Sequence, residues 1–227
     1  MSLYFLLMLG TIAGPLALSF DKKIHFYTYF KALFPALFLV AFGFIIWDEY
    51  FTTKGIWGFN QDYIQGWHIG HLPIEEILFF LLVPFACVFI YEVFKGYFPN
   101  WNLLRFGRVF AFSIGLTSLV FALFNINNWY TASACILAFM LTIEFYFRRK
   151  AVWYAWFGVA YMVSIIPFLL VNGVLTGMAT PEPIVWYSEA HIMGPRIITI
   201  PVEDLFYNYD MLLLVVFLFE RFKTRLS

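Results

Sequence analysis

The amino-acid sequence predicts an all-α integral membrane protein of about seven transmembrane helices, arranged as two parallel three-helix repeats and a connecting helix. Three observations support this fold class. The 227 residues are 63% hydrophobic and only 12% charged, about half the charged fraction of an ordinary soluble domain. Seven apolar runs approach the ~20 residues that a bilayer-spanning helix needs. One of these runs is repeated 128 residues further along the chain.

The predicted spans follow one another with short polar connections between most of them. They cover residues 3–20, 30–47, 74–94, 107–124, 130–147, 152–172 and 202–222. Two longer polar stretches, 48–73 and 176–201, separate the second span from the third and the sixth from the seventh. We take the apolar N-terminus as the first span, because it lacks the basic region and the small-residue cleavage site of a signal peptide.

Basic residues fall almost entirely on one side of the predicted bundle. Twelve of the fourteen Lys and Arg residues lie there, and only Lys54 and Arg196 lie on the other side. Cytoplasmic loops carry the excess of positive charge. We therefore expect a multi-pass protein of the cell inner membrane, with the N-terminus outside and the C-terminus in the cytoplasm. The zero net charge, without a basic block, argues against a nucleic-acid partner.

An internal duplication predicts the domain organisation. Residues 73–95 and 201–223 align without a gap and share seven of 23 residues, among them Pro, both Glu and Lys. We therefore expect a first repeat at 1–100, a connecting span at 101–128 and a second repeat at 129–227. Spans 3 and 7 then run in the same direction, as in other parallel repeats, and their acidic starts can face one cavity.

Each repeated helix begins with proline and two carboxylates. The structural interpretation of Glu75, Glu76, Glu203 and Asp204 is that an acid in the first turn stabilises a helix through its dipole. Their repetition and the scarcity of nearby cations favour a functional role, because ionisable groups at membrane depth are costly. A cluster of carboxylates can hold both a protonated acid and an ionised base, as acid–base catalysis requires. These four are the candidate catalytic residues.

Further residues are assigned roles around these four. Adjacent residues of a helix point ~100° apart, so one member of each pair should face the cavity, and we prefer Glu75 and Glu203 because the repeat keeps them identical. The expected supporting residues are Asp48, Glu49, Arg196 and His68. Aromatic faces attract cations, and the expected substrate-binding residues are Trp47, Trp57, Phe59, Phe79 and Tyr207.

Other classes of membrane protein fit the residue counts poorly. Membrane di-iron enzymes need many histidines, whereas this chain has four. A retinal protein needs a lysine deep in the last span, whereas Lys223 lies at its end. The chain has no glycine-rich dinucleotide fingerprint, and Cys87 and Cys135 lie inside apolar runs. No metal and no cofactor are therefore expected. A proton-coupled transporter or a lipid-binding membrane protein with the same acidic cavity stays open as an alternative.

Four motifs carry a family resemblance. They are Trp47-Asp48-Glu49, Gly55-Ile56-Trp57-Gly58-Phe59, Pro73-Ile74-Glu75-Glu76 and Pro201-Val202-Glu203-Asp204. Through them the chain resembles the non-flavin membrane lycopene cyclases of the heterodimeric or fused type. The same domain precedes phytoene synthase in fungal bifunctional enzymes, and here the stand-alone fused form is expected.

The resemblance implies a substrate and a reaction. The expected reaction converts the linear ends of lycopene to β-rings, through γ-carotene to β-carotene, by carbocation chemistry without net redox change. The implied partners are a carotenoid substrate and the lipid bilayer, and association with other enzymes of carotenoid biosynthesis is a further expectation.

Overall fold

The computed structural model describes residues 1–226, which form seven α-helices joined by connections with very short strands. The helices are α1 (Leu3–Leu18), α2 (Phe30–Thr53), α3 (Ile74–Tyr97), α4 (Leu104–Phe124), α5 (Trp129–Thr142), α6 (Trp153–Leu175) and α7 (Glu203–Leu226). A π-helix over Ile143–Arg148 continues α5. The all-α membrane fold predicted from the sequence is confirmed.

Five helical segments within residues 1–226 are long and apolar enough to cross a membrane. They are Phe26–Thr53, Ile74–Tyr97, Leu104–Phe124, Trp129–Arg148 and Trp153–Leu175. The apolar helix α1 has 16 residues, and α7 has 24 residues with acidic and basic side chains along its length. The chain is therefore a helical membrane protein, and the total of seven spans stays a prediction.

Helices α3 and α7 pack against each other and against most of the remaining helices. α3 contacts α1, α2 and α6, and α7 contacts α2, α5 and α6. α4 packs on α5 and α6, where a Cβ added at Gly107 would lie 2.8 Å from the Cβ of Ala155. Lipid tails are as apolar as helix surfaces, so close packing at small residues contributes strongly to the association of membrane helices.

The C-terminal ends of α3 and α7 exchange ion pairs. Lys95 Nζ lies 2.6 Å from Glu220 Oε1, and Lys223 Nζ lies 2.8 Å from Glu92 Oε2. Within the aligned segments, Glu92 corresponds to Glu220 and Lys95 to Lys223. Each lysine therefore pairs with the acid of the other helix.

Two long connections cover the opposite end of the bundle. The α2–α3 connection contains β1 (Trp57–Phe59), β2 (His68–Ile69) and β3 (Leu72–Pro73), and the α6–α7 connection contains β4 (Val185–Tyr187), β5 (Arg196–Ile197) and β6 (Ile200–Pro201). β2 and β3 form one hairpin and β5 and β6 form another, whereas β1 pairs antiparallel with β4. The β1–β4 pair thus joins the two connections above the helix ends.

The two hairpins turn through the same backbone conformation. Gly70 has a φ of 66° and Ile198, which occupies the corresponding position, has a φ of 61°. Glycine adopts this left-handed conformation freely, whereas a β-branched residue rarely does. A Cβ at Gly70 would also lie 2.7 Å from Oε1 of Glu49. Glycine therefore suits position 70 through its backbone conformation, and a larger residue there would also have to displace the carboxylate of Glu49.

Helix α2 is longer than the predicted second span, and this corrects the location of two acids. The sequence placed Asp48 and Glu49 at the start of a polar connection, but α2 continues to Thr53 and both acids lie in its last turns. The apolar run stops at Asp48 because a carboxylate follows it, but this side chain is only 2% exposed and points into the bundle. The helix itself does not end there.

Candidate active site

A cavity of about 40 Å³ lies at the covered end of the bundle, beneath the two long connections. Three carboxylates line it, namely Asp48 from α2, Glu76 from α3 and Asp204 from α7. Within residues 1–226 no Lys or Arg lines this cavity. Its other lining residues are Tyr4, Trp57, Phe59, Phe79, Tyr130, Phe168, Asn172, Leu175, Val185, Tyr187, Tyr207, Asn208 and Met211. The three acids therefore face one small, mainly aromatic space.

Asp204 accepts three hydrogen bonds from neutral donors. The Tyr130 hydroxyl donates to Oδ1 at 2.5 Å, and the Asn172 amide and the Tyr187 hydroxyl donate to Oδ2, each at 2.9 Å. Burial and the neighbouring Asp204 raise the pKa of Tyr187 well above its usual range, so this hydroxyl keeps its proton. Hydrogen bonds to a carboxylate favour the ionised form, and Asp204 receives more of them than the other two cavity acids.

The other two cavity acids have fewer donors. Glu76 Oε2 accepts a hydrogen bond from the Tyr4 hydroxyl at 2.5 Å. Asp48 Oδ1 accepts one from the indole N–H of Trp57, while Asp48 Oδ2 is buried without a partner among residues 1–226. That free oxygen can carry a proton without losing an existing hydrogen bond.

Glu75 and Glu203 occupy equivalent positions behind the cavity. Glu75 Oε1 accepts hydrogen bonds from Ser2 Oγ at 2.6 Å and from the backbone N–H of Gln65 at 2.7 Å. Glu203 Oε1 accepts them from Thr131 Oγ1 at 2.6 Å and from the backbone N–H of Met193. Each acid thus ties the preceding connection and the start of a neighbouring helix to its own helix.

This geometry corrects the preference for Glu75 and Glu203 as the cavity-facing members of each pair. Both are fully buried and neither lines the cavity, whereas Glu76 and Asp204 do. The physical reason is the ~100° between adjacent helical residues. One acid of each pair turns toward the connection and the other toward the space between the helices.

Four of the five predicted substrate-binding residues line the cavity, namely Trp57, Phe59, Phe79 and Tyr207. The fifth, Trp47, lies outside its wall and packs against Tyr207, with ring centroids 5.1 Å apart. The aromatic pattern in the sequence therefore identified the wall of the cavity and one residue that supports it.

Three of the predicted supporting residues lie away from the cavity carboxylates. Arg196 donates to Glu189 Oε1 at 2.6 Å and to the carbonyl of Thr199 at 2.8 Å. Glu49 Oε1 lies 2.6 Å from His71 Nδ1, and His68 is exposed in the hairpin. The fourth, Asp48, lines the cavity. His71 rather than His68 is therefore the histidine paired with an acid.

Sequence reasoning missed the neutral side chains that hold the carboxylates. Tyr4, Tyr130, Asn172 and Tyr187 donate to Glu76 or Asp204 from three helices and a strand. Only Asn172 left a signal, as an amide within an apolar run. The tyrosines gave none, because tyrosine is common throughout this chain and at membrane interfaces generally.

Deeper in the bundle, Asp210 of α7 is fully buried, and neither of its oxygens has a partner within the described part of the chain. Among residues 1–226, no three His, Cys, Asp or Glu side chains are arranged to hold a metal ion. Cys87 and Cys135 are both buried and unbonded to each other.

Comparison with known proteins identifies the family. No curated protein and no solved structure matches the chain. A family model described as Lycopene cyclase matches two segments, residues 1–94 and 127–222, which together make up most of the sequence. These segments include Asp48, Glu76 and Asp204. The chain belongs to the lycopene cyclase family.

Proposed function

We propose that this protein is a lycopene β-cyclase in which Asp48, Glu76 and Asp204 perform acid–base catalysis on the linear end of a carotenoid. The observation that carries the proposal is the convergence of these three carboxylates on one aromatic-lined cavity without a lining Lys or Arg. Acid–base chemistry needs one protonated and one ionised group side by side. Unequal hydrogen bonding supports such a division among the three acids.

Asp204 is the proposed base. Its three neutral donors stabilise the carboxylate, and hydrogen bonds to an ionised group are the stronger kind. None of these donors carries a positive charge that would neutralise it. The ionised form can therefore take a proton from the substrate.

Asp48 and Glu76 together are the proposed acid. Like charges at close quarters cannot both remain ionised in a buried site, so one proton is held by this pair. The unpartnered Oδ2 of Asp48 and the single donor on Glu76 both suit a carboxyl group that gives up a proton and regains it. Glu76 reaches the cavity from the start of α3, and Asp48 reaches it from the end of α2.

The proposed reaction transfers one proton in and one proton out. The acid protonates the terminal double bond and produces a tertiary carbocation. The neighbouring double bond attacks this cation, which closes the ring and moves the charge to a ring carbon. Asp204 removes a proton from the adjacent carbon, and the electron pair of that C–H bond becomes the ring double bond. Since atoms and electrons balance, the reaction requires no redox cofactor.

The cavity wall suits a cationic intermediate. The rings of Trp57, Phe79 and Tyr207 line the same space as the acids, and an aromatic face stabilises a cation by ~0.5–2 kcal/mol. We propose the β-ring as the product, formed at one end of lycopene to give γ-carotene and then at the other end to give β-carotene.

The division of the chain into repeats at 1–100 and 129–227 joined by 101–128 is part of this proposal. It is supported by the two separate family matches and by the crossed ion pairs of α3 and α7. The β1–β4 pair gives further support. Gly58 pairs with Trp186, which is its counterpart 128 positions later, and the pairs Trp57–Tyr187 and Phe59–Val185 lie on either side of it. The excess of basic residues at the opposite end supports an inner-membrane orientation with the acids near the outer face and the C-terminus in the cytoplasm.

The test compares two adjacent glutamates in cells that accumulate lycopene. Glu76→Gln should reduce the formation of rings by ~10²-fold or more, the usual size of a general acid–base contribution. Glu75→Gln is the matched control, because Glu75 holds Ser2 and the connection behind the cavity, and it should lower stability more than activity per folded molecule. Pigments are separated by chromatography and folded protein is quantified after extraction.

Equal ring formation by native protein and by Glu76→Gln would overturn the assignment of the acid. A folded native protein that forms no rings from lycopene would overturn the proposed function and favour transport or lipid binding. One-ringed product should rise and then fall during the time course, because the cavity takes one end at a time.

A further inference from the structure

A second, larger depression lies beside the cavity, on the lipid-facing side of the bundle. This groove has a volume of about 530 Å³ and runs between α1 and α6 over a floor formed by α3 and α7. Its rim includes Leu6 and Leu170, which are 49% and 60% exposed. Ligand pockets commonly have volumes of ~300–1,000 Å³. The groove is therefore large enough for a substantial apolar molecule, whereas the 40 Å³ cavity is not.

A glycine on α1 leaves free space in the groove. Gly10 lines it, and a Cβ added there would meet no atom within 4 Å. Two helix prolines, Pro15 and Pro167, also lie along its walls. From Leu3 to Pro15 the groove follows α1 for about 18 Å, which is more than half the ~30 Å thickness of the hydrocarbon core.

The groove is continuous with the acidic cavity. Phe79, Phe168 and Asn208 line both spaces. Asn208 is 2% exposed, and neither atom of its side-chain amide has a partner within residues 1–226. An amide without a partner and two aromatic rings therefore form the boundary between a carboxylate-lined space and an apolar one.

We propose that this groove holds the polyene chain of the carotenoid while one end of the same molecule reaches the acids past Phe79. The inference rests on the proposed function, and it adds the binding site for the part of the substrate that does not react. The occupant is an elongated hydrocarbon because the lining of the groove has no charged side chain within the described part of the chain. Its end lies in the cavity because the two spaces share a boundary. Lycopene enters sideways from the bilayer between α1 and α6.

The experiment fills the groove at Gly10 and uses Gly43 as the control. Both glycines lie in helices, both are exposed, and a Cβ added at either meets no atom within 4 Å. Gly43 is on α2, away from the groove and the cavity. Gly10→Leu displaces the contacts of about two polyene carbons, which corresponds to about tenfold weaker binding. Gly43→Leu should leave binding unchanged.

Two readouts separate the groove from the chemistry. Lycopene is incorporated with the protein into phosphatidylcholine nanodiscs. Binding is followed by the circular dichroism that a chiral site induces in the visible absorption band of the polyene, in a D204N background that prevents turnover. Ring formation is followed by chromatography in the native background. With lycopene present at well below the amount that saturates the native protein, we expect Gly10→Leu to lower both signals about tenfold and Gly43→Leu to lower neither.

Native dichroism and native ring formation in Gly10→Leu would overturn the proposal while leaving the proposed function in place. If Gly10→Leu removes the dichroism but native protein forms no rings, the groove is supported and the proposed function is overturned. Absence of dichroism in the D204N protein, with rings formed by native protein, would mean that the groove does not hold the polyene, which also overturns the proposal. If Gly10→Leu does not fold, Ala86→Leu fills the groove from α3 and is judged by the same outcomes.

Discussion

The two ends of the α3–α7 helix pair both carry carboxylates but hold them in opposite ways. At the C-terminal ends, Glu92 and Glu220 are paired crosswise with lysines at 2.8 and 2.6 Å. At the N-terminal ends, Glu76 and Asp204 accept hydrogen bonds from tyrosines and an asparagine. The repeated helix therefore carries an acid paired with lysine at its C-terminal end and an acid hydrogen-bonded to neutral side chains at its N-terminal end.

This difference separates structural from chemically competent acids. A lysine beside a carboxylate stabilises its ionised form, and removing one partner of a buried pair leaves an uncompensated charge. A carboxylate held by neutral donors can gain or lose a proton while its neighbours remain in place. The end with lysines is therefore suited to holding α3 against α7, and the end with tyrosines is suited to proton transfer.

The largest expected effect comes from neutralising one acid at each end of α7. Asp204→Asn keeps the shape of the side chain but removes the proposed base, so ring formation should fall by ~10²–10⁴-fold. Glu220→Gln weakens the pairing with Lys95 and should leave the rate of ring formation per folded molecule near that of native protein. Rates are measured in nanodiscs containing lycopene. Comparable losses of activity in the two variants would contradict the functional division between the ends.

The second effect concerns stability at the ion-paired end. Lys223→Met leaves Glu92, whose side chain is 6% exposed, with only Lys95 at 3.7 Å. We expect a loss of about 3 kcal/mol in the free energy of unfolding, because the remaining acid is buried and poorly compensated. Unfolding is followed by denaturant titration in a single detergent.

A double variant and a surface pair provide the controls for Lys223. Adding Glu92→Gln to Lys223→Met should recover most of the lost stability, because no unpaired buried charge then remains and Lys95 keeps its pair with Glu220. Arg148→Met breaks a pair with Glu144 in which the arginine side chain is 74% exposed, so it should cost less than ~1 kcal/mol. Equal costs for Lys223→Met and Arg148→Met would show that burial does not distinguish the crossed pairs.

The smallest effect removes one hydroxyl at each end. Tyr130→Phe deletes one of three donors to Asp204, and a hydrogen bond to a charged group contributes ~1.5–3 kcal/mol. Ring formation should therefore fall by about tenfold or somewhat more. Tyr91→Phe deletes a donor to Glu220 at the other end and should not slow the reaction. A Tyr130→Phe protein with native activity would remove the hydrogen-bond argument for Asp204 as the base.

The sequence alone determined the membrane class, the family resemblance and the acidic helix starts. Apolar composition leaves a chain of this length few alternatives to membrane helices, because backbone polar groups must bond within the segment when no water is present. The repeat at an offset of 128 residues related Glu76 to Asp204. These features are local or periodic, and they can be read without knowing which helices touch.

The tertiary structure decided which acids share a space and what holds them. Asp48 follows an apolar run, and the sequence predicted that a loop begins there. In the structure α2 continues to Thr53, and this places the Asp48 side chain in the cavity. Glu75 and Glu76 are adjacent and chemically identical. Only the packing of α1 and of the α2–α3 connection shows that Ser2 and Gln65 donate hydrogen bonds to Glu75, while Glu76 faces the cavity. The direction of a side chain around a helix matters only once the neighbouring helices are in place. Two of the tyrosines that donate hydrogen bonds to Glu76 and Asp204 come from other helices, more than 70 positions away in the sequence, and sequence patterns do not reveal such distant pairs.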